Sequence, residues 1–318
     1  MDLTGDLRRI VEGLRIERAP HRPFRVSVEL FPPRTPEAKA RFWPEVERLA
    51  GLRPHFFSVT CGAGGTGRDG TYPTVLEIRE RTGLPVAAHL TCAAHGREEV
   101  DALARAYWEA GVRHIVALRG DPPKGSGPYV PRPDGYAYAA DLVRGLRGIA
   151  PFEISVAGYP ETHPEAPSRA FDIDNVRRKV EAGAVRVIGQ YCFDTDTVLR
   201  YRDELVRAGV EVPFVPGIMP VHDFAKIRRF SEACRASIPD WLAELFTDLD
   251  PSLPVHGMVA AAVAAEQMSR LVAEGFDHLH LYALNRADLT LAACRLAGYR
   301  PPAAAATETS SGRSACAA

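Results

Sequence analysis

Short apolar runs alternate with amphipathic segments along most of the chain. The first run, Phe24 to Phe31, sets Val26, Val28 and Leu30 against Arg25, Ser27 and Glu29, a period of two that predicts a strand. Pro32 and Pro33 stop it, since neither can donate to a sheet ladder. The same reading places strands at 24–31, 55–61, 85–92, 114–119, 152–159, 186–193, 212–219 and 278–285. Helical patterns fall between them, near 37–50, 73–82, 97–110, 136–147, 168–182, 196–208, 222–235 and 256–274, and a last helix covers 287–297. Several strands are continuous Val/Ile/Ala runs, as expected when both faces are covered. Gly83, Gly111, Gly183, Gly209 and Gly275 stand where left-handed caps would close helices. Eight β/α repeats predict a TIM barrel, with a doubly wound open sheet as the structural alternative. The proline-bearing stretch 236–255 reads as an insertion before the long helix.

The domain reading is one barrel over 21–302, preceded by a helical extension over 1–20 and followed by a low-complexity tail over 303–318. Leu3, Leu7, Ile10, Val11 and Leu14 mark one face of the extension. A net charge of −1 argues against a nucleic-acid or polybasic membrane partner. Six cysteines without a CxxC spacing suit a reducing cytosol. No apolar h-region and no membrane-length apolar run is visible, so the expected location is cytoplasmic.

The chemistry is sought at the strand C-termini, where barrel sites form. Glu29, Thr60, His89, Arg119, Asp121, Tyr159, His163, Gln190, Asn285 and Arg286 all fall there. Any one of them has a dull explanation, such as a satisfied core histidine or a surface cation. Polar groups at nearly every strand end, above apolar strand bodies, point to a site. Arg119, Arg178, Lys179 and Arg286 can meet phosphates or carboxylates, and Tyr138, Tyr159 and Phe230 offer ring faces. Asp121 and Gln190 can bond the edge of a heterocycle. A large, flat, partly anionic ligand is expected. Gly62 to Gly67 spells GxGxxG, but a turn follows instead of a helix, so it reads as a loop and not as a dinucleotide fingerprint. Strand alternation turns Cys61 and Cys92 toward the helices and leaves only Cys192 on the inner side with Gln190, which disfavours a three-thiolate metal site.

The stretches VSVELFPPRT, FSVTCGAGG, AAHLTC, IVALRGDPP, YAADLV, ISVAGYPETHPEA, DIDNVRRKVEAGA, IGQYCFD, VPGIMPV and HLHLYALNRAD, in this order, resemble the methylenetetrahydrofolate reductase family. The resemblance implies a TIM barrel holding FAD. It implies NADH or NADPH as hydride donor and reduction of 5,10-methylenetetrahydrofolate to 5-methyltetrahydrofolate by a ping-pong sequence, within one-carbon metabolism and methionine biosynthesis. Glu29 matches the family's general acid, and Asp121 the aspartate that bonds the pterin and influences the flavin. FAD contacts carried over are Thr60, Ala63, His89, Arg119, Gly120, Asp121, Tyr138, Ala139, Tyr159, His163, Ala166, Asp172, Asn175, Arg178 and Lys179. Folate contacts are Gln190, Phe230, Arg286 and position 226, where Lys226 stands in place of a glutamine. Homo-oligomerisation and the choice between NADH and NADPH stay open. The alternatives are a metal-dependent pterin or folate methyltransferase on the same barrel, or a folate-binding paralogue without turnover.

Overall fold

The computed structural model describes residues 22–61, 70–93, 95–121, 125, 127 and 129–303. Eight parallel strands close into a barrel in sequence order: β1 (Arg25–Leu30), β2 (Phe57–Val59), β3 (Val86–Thr91), β4 (His114–Leu118), β5 (Glu153–Gly158), β6 (Arg186–Tyr191), β7 (Phe214–Ile218) and β8 (His278–Tyr282). Around them run α1 (Pro36–Ala50), α2 (Thr71–Thr82), α3 (Arg97–Glu109), α4 (Ala139–Ile149), α5 (Arg169–Glu181), α6 (Thr195–Arg207), α7 (Phe224–Cys234), α8 (Asp240–Phe246), α9 (Pro254–Ala273) and α10 (Ala287–Leu296). The closed ring settles the choice between barrel and open sheet. The N-terminal extension, the glycine loop and residues 304–318 lie outside the described residues.

The pattern at β1 explains why the chain closes this way. Val26, Val28 and Leu30 point outward into the main apolar cluster, where none is exposed. Each such burial stabilises by about 1.5–3 kcal/mol, so the belt between strands and helices drives folding. Inward go Ser27, Ser58, His114, Ser155, His278 and His280, all buried. Only a small apolar plug of Phe56, Ala87, Val116 and Ile188 fills the lumen beside them. The lumen is therefore a largely polar interior below the strand ends.

Helix termini follow local rules. Thr35 caps α1, its Oγ1 accepting from the Ala38 amide at 3.1 Å, and Pro36 opens the first turn. Asp194 caps α6 by accepting from the amides of Asp196 and Thr197. Gly83 closes α2 at φ 66°.

Within the stretch read as an insertion, Asp240–Phe246 forms α8, whose seven residues carry too short a pattern to stand out from the flanking prolines. Leu242 and Phe246 bury against Ile227, Val221, Phe193, Met219 and Ala260 in a second apolar cluster, separate from the main belt. No helix among the described residues is long and apolar enough to cross a membrane.

Candidate functional site

A cavity of about 1230 Å³ opens over the C-terminal ends of the strands. Ordinary small-molecule sites occupy about 300–1,000 Å³, so this one has room for a large ligand with a second beside it. Of the expected residues, Glu29, Thr60, His89, Arg119, Gly120, Asp121, Tyr138, Ala139, Tyr159, His163, Ala166, Asp172, Asn175, Arg178, Lys179, Gln190 and Phe230 line it. Ala63 lies outside the described residues. Lys226 and Arg286 do not line the cavity. Lys226 is largely exposed and pairs with Asp223 at 2.9 Å, one turn back on the same helix end. Arg286 is an exposed residue at the N-cap of α10.

Glu29 sits at the floor. Its carboxylate is 8% exposed and lies 3.5 Å from His89 Nε2 and 3.7 Å from His280 Nε2. Neither nitrogen has a hydrogen-bond partner. Burial holds His89 down, to about 4, against the opposing pull of Glu29, so that ring is neutral at pH 7. The end of β1 is pinned to β8 by Asn285, which accepts from the Phe31 amide at 2.8 Å and donates to the Phe31 carbonyl at 2.9 Å. That clip requires left-handed backbone at Leu284 and Asn285, with φ of 50° and 56°. Asn285, singled out as a strand-end polar group, therefore fixes the rim of the acid's pocket.

One wall is cationic. Lys179 on α5 reaches inward, 7% exposed, and donates to the Ala157 carbonyl at 2.7 Å. Burial pulls it down to about 8, with nearby Asp172 opposing. Asp172 accepts from the His163 amide at 2.9 Å and so orders the loop after β5. The Arg119 guanidinium pairs with Glu165 and lies 4.6 Å from the centre of the Tyr129 ring. Gly120 turns the chain away at φ 83°, and a Cβ there would sit 2.9 Å from the Thr91 Cβ. At the other wall Gln190 and Met219 approach Phe230, which stacks on Tyr191 with centroids 6.0 Å apart and 18° between planes. The burial of Tyr159 raises its phenol above the usual range, and its ring meets His163 edge-on at 4.6 Å.

The thiol assignments need correction. Cys61 lines the cavity, because β2 ends at Val59 and strict alternation stops with it. Cys192 turns outward into the main apolar belt, because β6 shifts register between Ile188 and Tyr191. The three thiols therefore do not share the inner side. Sequence reasoning missed Tyr129, Glu165, Tyr282 and His280, all of which line the cavity. The period-two pattern of HLHLY does carry His280, since alternation from Leu279 and Leu281 turns it inward.

This architecture has counterparts of known kind. The sequence profile of the methylenetetrahydrofolate reductase family matches residues 15–298. The 5,10-methylenetetrahydrofolate reductase of Salmonella typhimurium is 46% identical over 276 residues, 87% of this chain and 91% of that protein. The protein of the same name from Escherichia coli is 45% identical over the same shares. The Arabidopsis thaliana methylenetetrahydrofolate reductase (NADH) 1 is 33% identical over 81% of this chain and 46% of its own length. Among solved structures, an uncharacterised Clostridium thermocellum protein that binds two copies of 5-methyl-5,6,7,8-tetrahydrofolic acid shares the fold, with a TM-score of 0.60 at 14% identity over 89% of this chain and 99% of that one. The extent of these matches, over the same strands whose ends build the cavity, shows that the chain belongs to the methylenetetrahydrofolate reductase family.

Proposed function

We propose that the chain reduces 5,10-methylenetetrahydrofolate to 5-methyltetrahydrofolate with NADH or NADPH, using FAD held in the cavity and Glu29 as general acid. The observation that carries this reading is the placement of Glu29. Its buried carboxylate faces a cavity larger than one ligand needs, with an aromatic and amide wall on one side and a cationic wall on the other. The residues fit FAD on their own chemistry. Lys179 is a buried cation that Asp172 partly offsets, and Arg119 and Arg178 stand on the same wall, a donor set suited to a diphosphate. Tyr138, Asp172 and Asn175 would bond the remaining polar edges. When bound, FAD would supply reversible hydride storage between the nicotinamide and the folate of a ping-pong sequence.

The chain's own groups do the rest. Glu29 gives a proton to the bridging nitrogen of the methylene folate, which opens the five-membered ring to an iminium that can accept hydride. Asp121 and Gln190 bond the pterin edge and fix its face. Phe230, backed by Tyr191, packs on the folate and keeps water off the iminium. Because nicotinamide and pterin are both flat, each can occupy the same wall in turn. Lys226 and Arg286, on the outer rim, would meet the glutamate tail of the folate instead of its ring.

Glu29→Gln tests the assignment. Stopped-flow measurement should show reduction of bound flavin by NADH at close to the unaltered rate, and loss of folate reduction by at least about a hundredfold. Equal loss of both half-reactions would refute the role given to Glu29. A purified protein without a flavin absorption band, unable to take up FAD, would refute the cofactor.

A further inference from the structure

Below Glu29 the lumen holds polar groups that the reduction as described does not use, and the inference drawn from them rests on Glu29 being the acid. β1 and β8 pair with Ser27 opposite His280 and Arg25 opposite His278. Ser27 Oγ lies 2.7 Å from His280 Nδ1 and 3.0 Å from His278 Nε2, and all three residues are buried. The other nitrogen of His280, Nε2, faces Glu29 Oε2 at 3.7 Å and has no partner. A buried donor or acceptor left open costs about 1–3 kcal/mol, so an orphan aimed at the acid needs a reason.

The direction of the hydrogen bonds follows from the far end. Burial, His55 and Arg186 hold His278 far below the usual imidazole range, with smaller contributions from His280 and Arg25. The ring is neutral and carries one proton. The single proton of His278 is assigned to Nε2, the nitrogen that lies 3.0 Å from Ser27 Oγ. That proton is donated to Ser27 Oγ. The Ser27 hydroxyl then has its own proton for His280 Nδ1. With Nδ1 accepting, the ring proton of His280 lies on Nε2, against the Glu29 carboxyl group. The remaining neighbours of His280 do not compete for it: Tyr282 and Phe56 meet the ring through their faces or edges, at 5.3 and 6.1 Å between centroids. His114 is bound to Ser155 at 2.7 Å, and His89 faces Glu29 itself.

We propose that Ser27 and His278 lock His280 in the Nε2–H tautomer, so that His280 donates to Glu29 as its carboxylate forms and holds it in line with the folate. His280 and Ser27 are positioning residues. The gap of 3.7 Å closes as negative charge develops on Glu29, as catalytic contacts tighten on going from the free enzyme to the reacting complex. No proton leaves the string. The only transfer is from Glu29 to the folate nitrogen, and the Nε2–H offsets the charge left behind.

The test is long-range ¹H–¹⁵N spectroscopy of the histidine rings in the full-length protein, with His280 assigned through His280→Gln. The expected spectrum shows His280 Nε2 protonated and Nδ1 bare. Ser27→Ala should turn it into a mixture of tautomers. In folate reduction the same variant should lose about tenfold in kcat with KM unchanged, a small part of what a wrong histidine tautomer can cost. Ser27→Thr, which keeps the hydroxyl, should restore both. A wild-type ring protonated on Nδ1 overturns the proposal, as does a Ser27→Ala protein with unaltered tautomer and kcat. If Ser27→Ala fails to fold, His278→Phe is read in its place by the same two measurements, and the wild-type spectrum decides alone. A confirmed Nε2–H tautomer together with a fully active Glu29→Gln protein would instead refute the acid and leave the ring assignment standing.

Discussion

Under the proposed function Lys179 would set stability against cofactor binding, and one substitution separates the two. The ammonium is 7% exposed and pulled down to about 8 from 10.5 by burial, against the opposing field of Asp172. Each decade of such a shift is worth about 1.4 kcal/mol, so holding this cation in the cofactor-free protein costs about 3 kcal/mol. Lys179→Met removes the charge and keeps the aliphatic stem. It also removes the bond to the Ala157 carbonyl at 2.7 Å, which returns about 1 kcal/mol. The net expectation is a cofactor-free protein more stable by about 2 kcal/mol at pH 7, or a Tm higher by about 3 °C for a chain of this size. The sign with pH is fixed. Because the folded value lies below the unfolded one, the unfolded chain binds more protons between about 8 and 10.5, and wild-type stability rises through that window. The advantage of the variant is therefore full below pH 8 and shrinks above it. Thermal unfolding of flavin-free wild type and variant at pH 7 and pH 9.5 measures this. Under the proposed function, added FAD should narrow or reverse the gap, since the variant loses one of the three cations proposed for the diphosphate and ligand binding stabilises by RT ln(1 + [L]/Kd). A variant less stable than wild type at pH 7 without FAD, or a gap that does not change with pH, would refute the reasoning.

The cavity supports further predictions. Gly120→Ala places a Cβ at 2.9 Å from the Thr91 Cβ on backbone at φ 83°, so urea unfolding should show a loss of about 1–3 kcal/mol and the purified protein should retain less flavin. Lys226→Ala should raise the KM for a monoglutamyl folate by about two- to fivefold, the worth of one exposed ion pair to the glutamate tail, under about 1 kcal/mol; an unchanged steady-state KM would take this side chain off the ligand. Gly217→Ala should fail to accumulate as folded protein, because its Cβ would lie 2.4 Å from the Gly189 carbonyl oxygen inside the barrel wall; a soluble variant with the wild-type circular dichroism spectrum would contradict this.

The barrel is written into the chain by alternation, and the eight strands fall within a few residues of where the apolar runs put them. That works because outward residues such as Val26 and Leu30 must bury whatever ligand is bound. What lay beyond local pattern is where a strand stops obeying it. Cys61 follows the short β2, and Cys192 follows a register shift in β6, so each side chain ended on the side opposite to expectation. α8 was hidden because seven residues between prolines carry too little period to count. Most strand-end polar residues do converge on the cavity, since closure of the ring brings all strand ends to one mouth. The partners of Glu29 are a different matter. His280 comes from the last strand, and only ring closure brings β8 against β1.

The second apolar cluster has a mechanical consequence. Ile227 of α7, Leu242 and Phe246 of α8 and Ala260 of α9 pack with Tyr191 and Phe193 apart from the belt that closes the barrel. A unit with its own small core can open while the ring stays shut. Phe230, on α7, stacks on Tyr191 of that smaller core. Amide exchange should find α7 and α8 releasing their protons well before β1 and β8; equal protection of the two would contradict this.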